Sequence, residues 1–206
     1  MLNAALLLKD FLTNIANSIR EKTGFVGIIA AKDIPNEIER IKEARILSLN
    51  DKTIASVSDE TITIVGASAF DYCENLSNIN LPNCTKVANE AFHGCNGLTF
   101  VELPSCETIE TAGFAECHNL TRMSFPKCTE IGDGAFAYCI KLSEIYLMSP
   151  TMCSLGSRHY MYGDVFEATK ITSSTGSIYV PASLVTAYKQ DPRWSAFSNR
   201  IVGIND

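Results

Sequence analysis

The chain has 206 residues, 46% of them hydrophobic and 19% charged, which is enough to bury a sizeable core. Its net charge is −6 and no basic block or basic helix stands out, which speaks against a nucleic-acid partner, since phosphates call for clustered Lys and Arg. No stretch approaches ~18 consecutive apolar residues, so no membrane span is predicted.

From the N-terminus, the apolar run Ala4 to Leu8 is preceded by no Lys or Arg and falls short of the roughly 7–15 residues of a secretory core, so no signal peptide is predicted. Residues 4–21 read as an amphipathic helix, with Leu8, Phe11 or Leu12, Ile15 and Ile19 on one face. Thr23-Gly24 ends it, because Gly accepts a left-handed cap. A shorter helix is predicted from Asp33, with Pro35 in its first turn and Ile38 and Ile41 inward. Residues 1–44 thus form a helical prefix suited to covering the open end of whatever follows.

From about residue 46 the pattern becomes β. ILSL at 46–49 reads as a first, irregular strand, and a repeat with a step of 22 then takes over. Phe70, Phe92, Phe114 and Phe136 obey that step, as do Leu76, Leu98, Leu120 and Leu142, and Pro82, Pro104 and Pro126. A fixed period of about 20–50 residues signals a solenoid, in which one coil cannot bury its apolar face alone. The core unit L-x-x-I-x-L alternates apolar and polar positions, the signature of a strand with one buried side. Proline then stops the strand, having no N–H for the ladder. Val65, Val87, Ile109 and Ile131 mark a buried return leg, and the following Phe carries a ring into the core.

Seven of the eight cysteines alternate at steps of 11 between two columns: Cys73, Cys95, Cys117 and Cys139, and Cys84, Cys106 and Cys128. The second column holds Ile62 in the first aligned repeat, which points to buried, apolar thiols in place of zinc ligands or disulfides. Disulfides between stacked neighbours remain open on spacing, although columns of four and three leave one thiol over. Cys153 stands outside both columns and is the cysteine expected to be exposed.

After Leu147 the period fails. The step from Phe136 to Phe166 is 30, and the extra residues include SLGSRHYMYGDVF. SIYVP at 177–181 restores a strand, Ser183 to Lys189 read as helical, Asp191-Pro192 can start a turn, and IVGI at 201–204 ends the pattern. The expected domains are 1–44 (helical prefix), 45–148 (solenoid) and 149–206 (irregular last coil and cap).

The stretches LSNINLPNCTKVANEAFHGC at 76–95 and LTRMSFPKCTEIGDGAFAYC at 120–139 resemble the BspA-like class of leucine-rich repeats, and IYVPASLVTAYKQDPRWSAF resembles a recurrent tail of that class. The resemblance covers about residues 54–204. It implies a right-handed parallel β solenoid of the α/β class with short helical or 3-10 turns, and binding to proteins or glycans, often in adhesion at bacterial surfaces. IANSIREKTG with the later DIPNEIERI resembles a helical segment of prophage or tail-associated proteins of gut Firmicutes. Together these imply an extracellular, cell-surface or virion-associated place.

No nucleophile, metalloprotease or phosphate-loop motif is present, so no enzyme, cofactor or metal is predicted. His93 and His118 fall in varied columns read as solvated corners, and His159 in the irregular loop. The outward residues of the strands make the better site: Asn78 and Asn80, Phe100 and Glu102, Arg122 and Ser124, Glu144 and Tyr146, with Tyr179 extending the row. Phe100, Arg122 and Tyr146 are types enriched at interface hot spots. The loop at 155–164, with His159, Tyr160 and Tyr162, is the rival site; its aromatic rings could equally well close the core. Two functions follow: a non-catalytic recognition module binding a protein or carbohydrate, or an assembly component of a phage-like particle docked through the prefix.

Overall fold

The computed structural model describes residues 46–47, 52–157, 159, 161–173 and 175–205. The helical prefix expected over 1–44 lies outside them, as does Tyr160. In chain order the strands are β1 (Ile46–Leu47), β2 (Ser56–Ser58), β3 (Ile64–Val65), β4 (Asn78–Asn80), β5 (Lys86–Val87), β6 (Phe100–Glu102), β7 (Thr108–Ile109), β8 (Arg122–Phe125), β9 (Glu130–Ile131), β10 (Glu144–Leu147), β11 (Ser154–Leu155), β12 (Ser177–Pro181) and β13 (Ile201–Ile204). All their pairings are parallel.

One flank of the solenoid is a sheet in the order β1-β3-β5-β7-β9-β11. The other flank is two sheets, β2-β4-β6 and β13-β12-β10-β8. The described part of ILSL, Ile46–Leu47, is therefore a strand on the return flank: Ile46 faces Ile64, and β1 does not join the L-x-x-I-x-L row. A third ladder runs along the corner between the flanks. Phe70 N–H donates to the Ala91 carbonyl at 2.8 Å, Phe92 to Gly113 at 2.9 Å, Phe114 to Ala135 at 2.8 Å and Phe136 to Val165 at 2.9 Å. Each of these coils turns this corner with two residues of positive φ, such as Ser68 and Tyr72 (both 52°) or Ala112 (52°) and Glu116 (60°). An L-residue pays roughly 1–2 kcal/mol for that conformation, and the ladder holds it in place.

The core is a set of columns. Phe70, Phe92, Phe114, Phe136 and Phe166 stack with centroids 5.2, 5.0, 5.7 and 5.8 Å apart and planes within 10°. Leu76, Leu98, Leu120 and Leu142 form a second fully buried column. All eight cysteines are buried free thiols; for Cys84, Cys106 and Cys128 the Ile62 equivalence implied that burial. Cys95, Cys117 and Cys139 each donate S–H to a carbonyl of the preceding coil at 3.0 Å. Cys84, Cys106 and Cys128 donate to their own strand two residues on.

Cys153 corrects the reading of an exposed outlier. It is fully buried, and its sulfur lies 3.8 Å from that of Cys128. The reason is register. The irregular coil keeps its place on the return flank, since Ser154 faces Glu130. Two extra residues precede that pair, since Glu130 to Ser154 is a step of 24, and the rest loop out afterwards, so Phe166 still lands on the Phe136 ring and Ser177 faces Glu144. In that register Cys153 stands opposite Thr129, and its sulfur reaches the end of the second thiol column diagonally.

The C-terminal residues close that end. Helix α1 (Val185–Gln190) follows a 3-10 turn at Ala182–Leu184, and a second 3-10 turn spans Ser195–Arg200. Tyr188 and Trp194 are fully buried. Trp194 Nε1 donates to the Cys153 carbonyl, and the Cys153 N–H donates to the Tyr188 hydroxyl, both at 2.8 Å. β13 then adds to β12, placing Val202 beside Tyr179.

Candidate functional site

Alternation along each strand decides which side chains leave the core. In β8 the buried residues are Met123 and Phe125, and Arg122 and Ser124 face solvent. In β10 Ile145 and Leu147 are buried, and Glu144 and Tyr146 point outward. Parallel register then aligns these outward residues from coil to coil. Asn78 faces Phe100, Asn80 faces Glu102, Arg122 faces Glu144, and Tyr146 faces Tyr179.

The row divides where the sheets divide. Asn78 and Phe100 stand on the sheet β2-β4-β6, and Arg122, Glu144, Tyr146 and Tyr179 on the sheet β13-β12-β10-β8. Phe100 is half exposed on the last strand of the first sheet. On the second sheet the side chains form a connected group. The Tyr146 and Tyr179 rings stack at 4.3 Å, 15° from parallel. The Arg122 guanidinium lies over the Tyr146 ring, 4.2 Å from its centroid. The Glu144 carboxylate accepts from the Tyr146 hydroxyl at 3.2 Å and lies 3.9 Å from Arg122 Nε. Burial first, then the Glu144 charge, pushes the Tyr146 phenol up, so it stays a neutral donor. Such a cation–π contact at an exposed site contributes about 0.5–1 kcal/mol. The side chains are therefore partly ordered before any partner arrives.

The described residues of the loop at 155–164 fold onto the corner of the solenoid. Tyr162 is buried against Ala112, Ala115 and Ala137, and its hydroxyl donates to Glu90 Oε1 at 3.0 Å. His159 stacks on Tyr162 at 4.9 Å. His93, read as a solvated corner, is buried beneath this loop. Its Nδ1 is 2.7 Å from Asp71 Oδ1, its Nε2 3.6 Å from Glu116 Oε1, and the Tyr72 and Tyr162 rings meet it edge-on. The varied column gave no sign of this, because the covering ring arrives from about 70 residues downstream. Tyr72 and Met161 stay exposed at the margin, and Tyr138 and Ile140 are exposed farther along the chain.

A third feature is a groove of about 670 Å³ between the return flank and the cap, lined among others by Glu110, Glu130, Asp133, Asp191 and Arg193. Sequence reasoning missed it, since its walls come from segments separated by an irregular stretch. Most of its charged groups serve the fold: Glu110 accepts from Asn89 N–H and pairs with Lys86, Asp133 accepts from Ser157, Asp191 caps Arg193 and Trp194, and Arg193 donates to the Leu155 carbonyl. No cluster of three or more His, Cys, Asp or Glu side chains able to hold a metal occurs among the described residues. No helix among them is long and apolar enough to cross a membrane.

Several solved structures are similar to this chain, among them the following two. A leucine-rich repeat protein from Bacteroides ovatus shares 22% identity over 73% of this chain, with a TM-score of 0.54. The pneumococcal vaccine antigen PcpA shares 16% over 77%, with a TM-score of 0.43. The chain spans 36% and 44% of those two chains, and the first likeness is one of fold. No curated protein matches it. The family model described as BspA type leucine rich repeat region, in six copies, matches residues 47–182. The stacked coils, their cysteine columns and this match agree: the chain belongs to the BspA-type leucine-rich-repeat family.

Proposed function

We propose that the chain is a non-catalytic recognition module that binds a protein or glycan through the outward face of its repeat strands, at a bacterial or host surface or on a phage-like particle. The observation that carries this is the Arg122–Tyr146–Tyr179 stack with its Glu144 tether. A solenoid must put some residues on this face, but it has no structural need for an aligned guanidinium and two phenols there. Aromatic and Arg side chains give large contact area, and partial ordering lowers the entropy lost on binding. Phe100 and Asn78 extend the surface on the neighbouring sheet.

The test is a binding screen of the purified chain against glycans and extracellular-matrix proteins, with a triple alanine variant at Phe100, Arg122 and Tyr146 matched for folding by circular dichroism. A hit lost in the variant supports the strand face. A hit kept in the variant moves the site to the corner under the 155–164 loop, a second reading favoured by the exposed Tyr72 and Met161 there. Absence of any hit sinks the recognition reading and leaves assembly through residues 1–44, to be checked by deleting them.

A further inference from the structure

In the regular coils Cys84, Cys95, Cys106, Cys117, Cys128 and Cys139 each donate to a backbone carbonyl, and one thiol–thiol contact among them, Cys117 to Cys139, is held inside the stack. Cys153 is placed differently. Its S–H faces the Cys128 sulfur at 3.8 Å, with the Ser154 carbonyl at 3.5 Å as its other acceptor. Cys153 directly precedes β11 and Cys128 stands two residues before its parallel neighbour β9, so the two are one residue out of register. Adjacent strands stand ~4.8 Å apart, and a one-residue offset of ~3.3 Å along the strand puts the two Cα atoms about 6 Å apart, inside the range of about 4.4–6.8 Å that a disulfide tolerates. Bond formation would bring the sulfurs from 3.8 Å to about 2 Å. Cys153 is also the point where the cap is pinned, through Tyr188 on its N–H and Trp194 on its carbonyl. This coil is at the end of the stack, whereas interior coils are held from both sides. End units of a solenoid open first, and opening here bares both sulfurs together.

We propose that Cys128 and Cys153 are a latent disulfide site, which oxidation closes to lock the C-terminal cap onto the last regular coil. With a peroxide as oxidant, one thiolate attacks the O–O bond to give a sulfenic acid and water. The second thiol then displaces that oxygen as a second water, and an S–S bond forms. Two electrons pass from the two sulfurs to the peroxide. The hydrogen bond to Cys128 and burial both keep the Cys153 thiol protonated, so closure is slow and follows opening of the cap.

The test starts from fully reduced chain, freed of reductant and treated with hydrogen peroxide, once in buffer and once in urea just sufficient to open the cap. Residual thiols are then blocked in denaturant. Trypsin followed by cleavage after Glu130 separates Cys128 from Cys139, so the cross-linked peptides are assignable by mass. The expected result is one dominant cross-link, Cys128 to Cys153, absent in Cys153→Ala and kept in Cys139→Ala. The fluorescence of Trp194, the single tryptophan, reports the cap, and its urea midpoint should move upward on oxidation. Cross-links spread over other pairs, oxyacids without a cross-link, or eight intact thiols under both conditions would overturn the site. A cross-link with an unmoved or lowered midpoint would overturn the locking.

Discussion

A single position shows how each coil constrains the next. Gly94 has φ of 66°, yet the equivalent positions Tyr72, Glu116 and Tyr138 adopt the same backbone with side chains. What distinguishes Gly94 is the Tyr72 ring, which lies 2.6 Å from where a Cβ would sit. Gly94→Ala should therefore displace Tyr72 and loosen its edge contact with His93, costing about 1–2 kcal/mol in urea unfolding. The thiols give a second test at this scale. In chain purified with reductant and then freed of it, a thiol reagent should modify none of the eight natively and all eight in denaturant; fewer than eight would mean disulfides already present. Burial also holds the Cys95 thiol up at about 12, against an ordinary value of 9.0, and raises Cys106 and Cys117 in the same direction. A raised acid keeps its proton longer in the folded state, so above pH 9 the folded chain binds more protons than the unfolded one. Stability is then full below about pH 9 and falls between pH 9 and 12. A urea midpoint that stayed level across that window would contradict the burial.

At the scale of elements, the repeats were legible because each buried residue recurs at one step. The strands, the return leg, the Phe spine and the outward row all follow from that recurrence and from alternation. What escaped was whatever depended on the irregular coil. Cys153 looked like an outlier because its step differs, but β-pairing of Ser154 with Glu130 brings it to the return flank, beside the second thiol column. His93 looked solvated because its cover, Tyr162, belongs to another element. The groove and the division of the outward row into two sheets are invisible for the same reason: they are relations between segments, and no single segment encodes them. The cap contacts are testable directly. Tyr188→Phe removes the acceptor of the Cys153 N–H, and an unsatisfied buried amide should lower cap stability by about 1–3 kcal/mol, read from Trp194 fluorescence. Phe114→Ala, in the middle of the spine, should cost about 3–5 kcal/mol.

For the whole molecule, near-identical coils should be removable in whole units. Deleting residues 76–97 joins Asn75 to Leu98, which enters the stack as Leu76 did, across the 22-residue spacing that links Ser77 to Ala55. The shortened chain should fold cooperatively with a lower urea midpoint, because one interface between coils is lost. Deleting only 76–86 should give no folded product, since every later side chain would meet the wrong column. Circular dichroism and Trp194 fluorescence distinguish the two.

The strict alternation of β8 and β10 has a consequence for how such a surface can change. Parity assigns each strand residue either to the spine or to the outside, and neighbours of opposite parity do not touch. Met123 can therefore stay fixed while Arg122 and Ser124 drift, and Ile145 while Tyr146 drifts. The outside of the strands is in effect a writable row of letters on an unchanging page, and two chains with the same coils could differ completely in what they hold.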